Sequence, residues 1–557
     1  MKANAIIAFF LISTTTADSK FFVNINPEEG AYQSAYSLVS LGLYLEEDAH
    51  ILPYLFGYLE NLDYPKDRTN LDFYVNNRVD ATVQKVKWWL KEVDSLYHKT
   101  QLTLSPDNWR EDAIRRARLS RSDYVLLLTA DHFFTEPQLL QKLIDVKTLA
   151  ISPVLDDPWI SHSHLSPAQN PLQSSIPLFI YLSHSDASYI TFSSENLSHY
   201  DQSEDPYDVF IVSLARIRAS IVFFNQSYFG YNLNCNRCSP DLRRMRMNYL
   251  VADIINSFGL GAIPVSTVIK PWYPKPSLFG MDQIYVINLQ RRPERKKKLE
   301  KVLKLMGFKY RIWAATDGER LYDEPLSKKI ALLEKYEDPY YKRPMKTGEI
   351  GCFLSHYRIW KDVVKNEYNR VIVFEDDISF EMDSTSRLAE LVEDVDASSF
   401  VWDFIYLGRK QMSKDGNSWV AGIRHLSTVG YSYWTIGYML AQTGAQKLLK
   451  AKPLEKLIPV DEYIPIMFDR HPNATWKAAF ANRNLLAFTV YPPLIRPEKY
   501  TNDEGYVSDT EDSSVVEHFD FSKLREEALE TEGHSLGEKS ESMLVSLEGY
   551  NPDKTEL

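Results

Sequence analysis

The chain has 557 residues, of which 44% are hydrophobic and 25% are charged. These fractions are typical of globular proteins rather than of disordered ones. A chain of this length is expected to fold as two sizeable domains, because one hydrophobic core rarely serves more than about 250–300 residues. The formal net charge of −12 at pH 7 argues against a nucleic-acid-binding protein, since phosphate backbones are bound by clustered lysine and arginine.

The N-terminus, "MKANAIIAFFLISTTTADS", has the pattern of a secretory signal peptide. A lysine precedes a short apolar run, and small residues lead to Ala17, so we expect residues 1–17 to be removed. A hydrophobic first strand is the alternative. The run is too short to span a bilayer, which takes about 20 residues, and no later run of 18 apolar residues follows, so we expect no stable membrane insertion.

The C-terminus is acidic and ends in "KTEL". Residues 511–557 contain 13 acidic and four basic residues, which predicts a largely disordered tail. The last four residues are similar to the K-D-E-L address that a retention receptor reads, although Thr555 stands in place of the usual Asp. Together with a signal peptide, this end indicates the lumen of the endoplasmic reticulum. Three candidate glycosylation sites fit that compartment: Asn196, Asn225 and Asn473.

Three cysteines occur in the chain. Cys235 and Cys238 form a Cys-x-x-Cys, and without further ligands nearby a local disulfide is favoured over a zinc site in an oxidising compartment. Cys352 is expected to be a lone buried thiol.

Two halves of the chain alternate strand-like and helix-like segments, which predicts parallel sheets covered by helices. The first half, residues 18–266, contains apolar runs such as "YVLLLTAD" and an amphipathic helix over Asp80–His98. The proline-rich "KPWYPKPSLFG" lies in an expected linker, residues 267–280. The second half, residues 281–510, restarts the pattern. The fold class we expect is α/β, with two Rossmann-type domains in tandem and mixed, mostly parallel sheets.

The second half has a regular sequence of elements. "MDQIYVINLQRRPERKKKLEKVLKLMG" reads as a strand, a basic turn and a helix capped by Gly307. Gly348–Asn366 reads as a helix, and both "RVIVFEDD" and Trp402–Gly408 read as buried strands. A short helix is expected to begin near Gly444.

The acids after "VIVF" suggest a metal site. Glu375, Asp376 and Asp377 stand at the carboxyl end of an apolar strand, where ligands bind in open α/β sheets. Clustered carboxylates are unfavourable unless a cation neutralises them, and hard divalent ions bind such oxygens together with a diphosphate. A solvated acidic strand end or a helix cap is the alternative.

Basic and glycine-rich segments nearby suggest a nucleotide-diphosphate site. "INLQRRPER" follows the first strand of the second half, and "GEIGC" opens a helix whose amides and dipole favour an anion. The candidate donor-binding residues are Asn288, Arg291, Arg292, Arg295, Gly348, Glu349, Gly351, Ser355 and His356.

Six segments of the chain together resemble motifs of a known family. "YVINLQRRPER", "GEIGCFLSHYRIW", "VFEDDISFE", "YSYWT", "PVDEYIPIMFDRHP" and "DEGYVSDTE" are similar to motifs of glycosyltransferase family 25, and more narrowly of the animal procollagen galactosyltransferases. The resemblance is dense over about Gly280–Glu511 and looser before it. It implies two GT-A-like domains and transfer of galactose from UDP-galactose, with Mn²⁺, to hydroxylysine of collagen-like proteins. The β linkage from an α-linked donor implies an inverting reaction.

The resemblance also implies roles for single residues. Glu375, Asp376 and Asp377 correspond to a D-x-D metal cluster in which Asp377 is the expected direct ligand. Inversion needs a base, for which Asp461 is the first candidate and Glu462 the second; a helix cap is the alternative for either acid. His471 is either a metal or diphosphate ligand or structural. Tyr431, Tyr433 and Trp434 form either a platform for the acceptor or the sugar, or part of the core.

The first half carries a weaker version of the acid strand, "SDYVLLLTADHFF". Thr129 stands where a first Asp is expected, Asp131 is the remaining acid, and His132 is predicted to point to the opposite face. One carboxylate and a hydroxyl make a poor divalent-ion site. We expect a degenerate domain with a scaffold or acceptor-binding role; a second active site is the alternative.

Three functional hypotheses remain at the level of sequence. The first is an active UDP-galactose transferase. The second is a catalytically inactive relative that serves as a binding or adhesion protein. The third is a family 25 enzyme with another sugar or acceptor. Glu504–Glu511 has Ser and Thr flanked by acids, so a phosphorylation site, a lid over the donor and a contact of a homodimer are all open.

Overall fold

The computed structural model describes residues 22–26, 31–34, 36–76, 80–158, 176–197, 205–233, 238–413, 417–498 and 510. The expected signal peptide, Cys235, residues 511–557 and most of Glu504–Glu511 lie outside these residues. The chain divides into two compact units. The first comprises Met1–Arg244 and Ala262–Trp272, and the second comprises Met245–Gly261 and Tyr273–Leu557.

The first unit is built from short strands and helices in alternation. Its strands within the described residues are β1 (Phe22–Asn26), β2 (Ala31–Ser34), β3 (Val39–Glu46), β4 (Thr69–Asn76), β5 (Lys99–Leu104), β6 (Tyr124–Thr129), β7 (His132–Phe134), β8 (Ala150–Pro153), β9 (Leu178–Tyr181), β10 (Val222–Phe224) and β11 (Gly230–Asn232). Its helices are α1 (Leu52–Asn61), α2 (Thr82–Val93), α3 (Trp109–Leu119), α4 (Leu139–Asp145) and α5 (Pro206–Arg216). Helix α6 (Pro240–Phe258) contains the division at Arg244 and Met245.

A seven-stranded sheet forms the centre of the first unit, in the order β10-β8-β9-β6-β3-β4-β5. Strands β3, β4, β5 and β6 run parallel, whereas β9 is antiparallel to both of its neighbours. The run "VSLGL" of β3 is buried throughout, as expected of a central strand that is covered on both faces.

The second unit repeats this plan. Its strands within the described residues are β12 (Gln283–Asn288), β13 (Arg311–Ala314), β14 (Arg370–Phe374), β15 (Ile378–Phe380), β16 (Phe404–Gln411), β17 (Leu426–Thr428), β18 (Ser432–Ala441), β19 (Ala487–Val490) and β20 (Ile495–Pro497). Its helices are α7 (Pro293–Met306), α8 (Thr347–Lys365), α9 (Ser384–Ala397), α10 (Gln442–Lys450), α11 (Val460–Met467) and α12 (Ala474–Ala478).

The strand directions of the second unit decide where its polar ends meet. The central sheet has the order β13-β12-β14-β18-β16-β19-β17. Strands β12 and β14 are parallel, and β18 is antiparallel to both β14 and β16. The carboxyl ends of β12, β14 and β16 therefore lie at the same edge as the start of β18. We call this the site edge.

Apolar spacing explains the helices that cover this sheet. In α8, Ile350, Phe353, Trp360 and Val363 are three or seven residues apart, which places them on one face of the helix, and they are fully buried in the core of the second unit. Burying a large side chain of this kind contributes about 1.5–3 kcal/mol. Helix α7 ends at Gly307 in the left-handed conformation, with φ of 76°, which confirms the predicted cap.

The expected fold class, two α/β units with mixed and mostly parallel sheets, is confirmed. In the described part of the chain no helix combines the length and the apolar character needed to cross a bilayer. Cys238 is disulfide-bonded, in agreement with the expected local disulfide, whereas Cys352 carries a free thiol and is half-buried.

Candidate active site

The three acids that follow β14 have three different environments. Glu375 continues the strand, because its N–H donates to the carbonyl of Ile436 on β18 (2.9 Å). Asp376 and Asp377 then leave the sheet at the site edge.

Glu375 is held by neighbouring side chains. Its Oε1 lies 3.2 Å from Nε2 of His356 and 3.2 Å from Oγ1 of Thr435. His356 is fully buried, and its Nδ1 lies 2.9 Å from Oη of Tyr438, which also accepts a hydrogen bond from Trp360. With the Tyr438 hydroxyl donating to Nδ1, the Nε2–H of His356 donates to Glu375. His356 thus orients the first acid of the cluster.

Asp376 is tied to the end of β12. The buried Asn288 donates from Nδ2 to Oδ2 of Asp376 (2.5 Å) and to the carbonyl of Arg292 (3.1 Å). Nη1 of Arg295 lies 3.6 Å from the other carboxylate oxygen. The structure therefore brings Asn288 and Arg295 together with the acid cluster.

Asp377 has an oxygen that is available to a cation. Its Oδ1 is buried and receives no hydrogen bond from any described residue, and Oδ2 lies 3.9 Å from Nη1 of Arg295. Burial, with added repulsion from Glu375 and Asp376, raises the pKa of Asp377 to about 7. An unpaired carboxylate oxygen beside other acids suits a hard divalent ion. The residues present therefore fit the metal that the family implies.

Asp461 lies at the start of α11, and Thr435 links it to Glu375 of the acid cluster. Its Oδ1 lies 3.0 Å from Oγ1 of Thr435, and its Oδ2 accepts a hydrogen bond from the N–H of Trp434 (3.3 Å). Burial and the charge of Glu375 raise the pKa of Asp461 to about 6. The single hydroxyl proton of Thr435 faces both Glu375 and Asp461, so this threonine links the metal side of the site to the candidate base.

Glu462, the second candidate base, is occupied by structural partners. It is buried, and it accepts hydrogen bonds from the hydroxyls of Tyr431 (3.0 Å) and Tyr433 (2.5 Å) and from Nε2 of His471 (2.7 Å). Nδ1 of His471 accepts a further hydrogen bond from the N–H of Asn473 (3.0 Å). Glu462 and His471 therefore form a closed network with Tyr431 and Tyr433, and burial together with the carboxylate raises the pKa values of both tyrosines.

Arg291 lies apart from the acid cluster. Its guanidinium contacts Asp317 (3.3 Å) and Glu319 (3.7 Å), and its side chain is 33% exposed. The expected role of Arg291 in donor binding stays a prediction.

The start of α8 is packed against protein. Glu349 pairs with the buried Arg343 (3.1 Å) and accepts a hydrogen bond from the N–H of Lys346 (2.6 Å). Ser355 accepts a hydrogen bond from the N–H of Thr316 (2.8 Å). These contacts account for Glu349 and Ser355 as helix-capping and packing residues, so their expected donor contacts stay predictions.

The glycines of this helix start allow two backbone segments to approach. A Cβ on Gly351 would lie 2.6 Å from the carbonyl oxygen of Thr316, and a Cβ on Gly318 would lie 2.6 Å from the backbone of Gly348. Close packing thus requires glycine at Gly318 and Gly351, and the expected roles of Gly348 and Gly351 in donor binding stay predictions.

Cys352 also lies beside the acid cluster, which was not predicted from the sequence. Its Sγ and ligand atoms of His356 and Glu375 lie within 4.8 Å of one another. Cys352 and His356 are four residues apart on α8, a spacing that could have indicated this arrangement. Burial and Glu375 hold the pKa of the thiol well above its ordinary value, which disfavours the thiolate that a metal requires. The oxygen of Asp377 is the better metal ligand. Thr435 was also missed, because it lies within an aromatic strand.

The first unit has a different arrangement at the corresponding strand end. Strand β6 ends at Thr129, whose N–H donates to Nδ1 of the buried His132 (3.1 Å), so the histidine folds back onto the strand end. Burial raises the pKa values of Asp131 and of the nearby Asp48, and the positive charge of Arg243 lowers both. A protein cation therefore lies near these acids. The expectation of a degenerate domain stays a prediction.

The candidate glycosylation sites differ in their surroundings. Asn225 is exposed. The amide of Asn196 donates to Glu111 (3.2 Å) and Thr191 (3.0 Å), and Asn473 caps α12 by accepting from the N–H of Trp476 (3.1 Å). Asn196 is exposed as well, whereas Asn473 is half-buried.

Comparison with known proteins gives consistent matches. Two family models match the chain: Glycosyltransferase family 25 (LPS biosynthesis protein) over residues 281–464, and Glycosyltransferase family 25, N-terminal domain, over residues 37–108. A Glycosyltransferase 25 family member of Aedes aegypti is 34% identical over 546 residues, which cover 88% of this chain and 89% of that protein.

Two human relatives are equally informative. Procollagen galactosyltransferase 2 is 32% identical over 513 residues, covering 84% of this chain and 82% of that protein. Inactive glycosyltransferase 25 family member 3 is 33% identical over 531 residues, with 87% and 89% covered. Among solved structures, the mannosyltransferase PcManGT from Pyrobaculum calidifontis in complex with GDP-Man and Mn²⁺ is 15% identical over 41% of this chain and 67% of that chain, with a TM-score of 0.27.

Proposed function

The chain belongs to glycosyltransferase family 25, and from that membership we propose that it transfers galactose from UDP-galactose to hydroxylysine of collagen-like proteins. The enzyme class expected from the sequence, a glycosyltransferase, is confirmed by the membership. Donor, acceptor, metal and compartment are the parts that we propose. Relatives named procollagen galactosyltransferase, at 32% identity over most of the chain, support the acceptor and the sugar.

One observation carries the proposal. Two acids with raised pKa values, Asp377 and Asp461, stand at the site edge with different partners. Asp377 has a buried oxygen without a hydrogen bond and a guanidinium nearby, which suits the diphosphate end of a nucleotide sugar. Asp461 is held by Thr435 and Trp434 and suits a base. Pairs of acids whose surroundings differ in this way are typical of active sites in which one acid transfers a proton and the other stabilises charge.

The leaving-group side of the reaction is formed by β12, α7 and the residues after β14. We place the UDP diphosphate against Arg295 and Asn288, whose donors already converge on Asp376. Asp377, with Asp376, would hold a divalent ion such as Mn²⁺, which stabilises negative charge on the departing diphosphate. His356 holds Glu375 at the border of this region.

The nucleophile side is formed by α11 and the start of β18. Asp461 accepts the proton of the acceptor hydroxyl as the hydroxyl oxygen bonds to the anomeric carbon of galactose. The bond between that carbon and the diphosphate oxygen breaks, and UDP leaves on the opposite side, so the α-linked donor yields a β-linked product. Thr435 and the N–H of Trp434 hold the carboxylate of Asp461 in position.

The compartment that we propose is the lumen of the endoplasmic reticulum. An N-terminal signal pattern and the terminal "KTEL" support residence in the lumen of the endoplasmic reticulum, by way of a retention receptor. Collagen-like acceptors would meet the enzyme there before they assemble.

A second function is supported by one comparison. A relative named inactive is 33% identical to the chain, so a catalytically inactive protein that binds the same partners is the alternative. An intact set of Asp376, Asp377 and Asp461 favours activity. A family 25 transferase with another sugar or acceptor is distinguished by a panel of donors.

The decisive experiment incubates the full chain with Mn²⁺, a hydroxylysine-containing collagen peptide and either UDP-galactose, UDP-glucose or UDP-N-acetylglucosamine. We expect mass spectrometry to show one added hexose with UDP-galactose and none with a lysine-only peptide. Well-folded protein that neither transfers nor hydrolyses any donor would refute the proposed activity and favour the inactive alternative.

A further inference from the structure

Trp434 has an unusual backbone conformation beside the candidate base. Its φ is 73°, in the left-handed region that bulky side chains rarely adopt. Such strain persists only where the surrounding structure enforces it, and it is concentrated at functional sites. Trp434 is also half-buried, so a large aromatic side chain stands partly open at the site edge.

Both neighbours of Trp434 are fixed, which explains how the strained turn is maintained. Tyr433 donates to the buried Glu462 (2.5 Å), and Thr435 contacts Asp461 (3.0 Å). The N–H of Trp434 itself donates to Asp461 (3.3 Å). The positive φ therefore lets Trp434 direct its N–H to Asp461 while Tyr433 stays bound to Glu462 and Thr435 stays in contact with Asp461.

The indole lies near the end of the adjacent strand β16. Nζ of Lys410 lies 5.9 Å from the centre of the Trp434 ring, a cation–π distance, and the lysine is exposed. In the β16–β18 ladder Lys410 is paired with Tyr433. The exposed end of β16 and the start of β18 thus present an aromatic ring and an ammonium group side by side.

The order of strands places this pair away from the donor. The residues that suit the diphosphate come from β12 and from the end of β14, whereas Trp434 and Lys410 come from β18 and β16, on the other side of β14. Neighbouring strands are about 4.8 Å apart. Asp461 contacts Trp434 and, through Thr435, is linked to Glu375, so the base lies between the two regions.

We propose that Trp434 is an acceptor-binding residue, and that Lys410 orients its ring. The aliphatic part of the hydroxylated acceptor side chain packs on the indole, which brings its hydroxyl to Asp461. This inference rests on the proposed transferase function, and it assigns the indole to the acceptor rather than to the sugar of the donor. Glu462, Tyr431 and Tyr433 act as positioning residues that hold the turn.

The test replaces the ring without disturbing the backbone. Trp434→Gly removes the indole and suits a positive φ, Trp434→Phe keeps an aromatic ring, and Trp419→Ala is the control, since Trp419 is a tryptophan of the same unit that is 65% exposed. For Trp434→Gly we expect KM for the collagen peptide to rise about tenfold or more, and we expect transfer at low peptide concentration to fall by a larger factor than hydrolysis of UDP-galactose in the absence of acceptor. Trp434→Phe and Lys410→Met should lie between this variant and the wild type.

Two kinetic results would overturn the proposal. One is an acceptor KM in Trp434→Gly that equals those of the wild type and of Trp419→Ala. The other is a loss of donor hydrolysis as large as the loss of transfer, because the ring would then serve the donor.

Binding separates this inference from the proposed function. If the wild type neither transfers galactose nor hydrolyses UDP-galactose, the proposed function fails. Calorimetry can still compare the binding of the peptide by the wild type and by Trp434→Gly. We expect binding at least about tenfold weaker in the variant. Equal binding, or no binding of the peptide by the wild type, would refute the acceptor site.

Discussion

Replacing the two acids of α11 one at a time should separate catalysis from folding. Asp461→Asn keeps the size of the side chain and an oxygen for the N–H of Trp434, but it removes the group that accepts a proton. Glu462→Ala and Glu462→Gln change a buried carboxylate that receives hydrogen bonds from Tyr431, Tyr433 and His471. Only the first substitution is expected to act on the chemical step.

The size of the effect on stability follows from these contacts. Breaking a buried charged network by removing one partner costs about 3–5 kcal/mol, which we expect for Glu462→Ala. For domains of about 150–250 residues each kcal/mol lowers Tm by roughly 2–4 °C, so Tm should fall by roughly 6–20 °C. Glu462→Gln keeps an acceptor oxygen and should cost only about 1–2 kcal/mol.

Asp461→Asn should have the opposite profile. Its raised pKa means that the folded state disfavours the carboxylate, so the neutral amide is expected to leave Tm unchanged or higher at pH 7. Loss of the base should lower kcat by about 10²–10⁴-fold.

Differential scanning fluorimetry and single-turnover transfer on the same preparations measure both quantities. Activity is normalised to the folded fraction at the assay temperature. The reasoning would be refuted if Glu462→Gln abolished transfer while it stayed folded and Asp461→Asn kept wild-type turnover. That outcome would make Glu462 the base.

Three further predictions concern protons, metal and packing. The rate of transfer should rise as pH increases through about 6, because Asp461 retains its proton below that value; a flat profile from pH 5 to 7 would contradict the assignment. Mn²⁺ should raise Tm more at pH 8 than at pH 6, because Asp377 has a pKa of about 7 and does not bind metal when it is protonated. Asp377→Asn should lose this rise in Tm, and an equal rise in the variant and the wild type would exclude Asp377 as a ligand. Gly351→Ala should destabilise the fold by about 1–3 kcal/mol in chemical denaturation, since the new Cβ would lie 2.6 Å from the carbonyl of Thr316, whereas Gly261→Ala, with open space around it, should not.

The fold could be predicted from local patterns. Strand β14 is a continuous apolar run followed by acids, and α7 has Pro293 in its first turn and Gly307 just past its end. Each signal is contained in a few neighbouring residues, which is why the elements were recognised. The grouping of Met245–Gly261 with the second unit depends on contacts with residues distant in the chain, which periodicity does not record.

The candidate site was predictable in composition but not in the roles of single residues. Asp461 and Glu462 are adjacent and chemically alike, and their different hydrogen-bond partners distinguish them. Gly351 was predicted to bind phosphate because it lies at a helix start, and its close approach to the carbonyl of Thr316 depends on tertiary packing that the helix pattern does not record. The positive φ of Trp434 is enforced by tertiary contacts and leaves no mark in the sequence.

The central claim, that the site edge of the second unit carries the chemistry, is tested most directly by one comparison. Transfer of galactose from UDP-galactose to a hydroxylysine-containing collagen peptide would be measured with Mn²⁺ for the wild type, Asp377→Asn and Asp131→Asn. The account predicts transfer by the wild type and by Asp131→Asn, and a loss of about 10²-fold or more in Asp377→Asn. Retained transfer in Asp377→Asn together with loss in Asp131→Asn would move the active site to the first unit and contradict it.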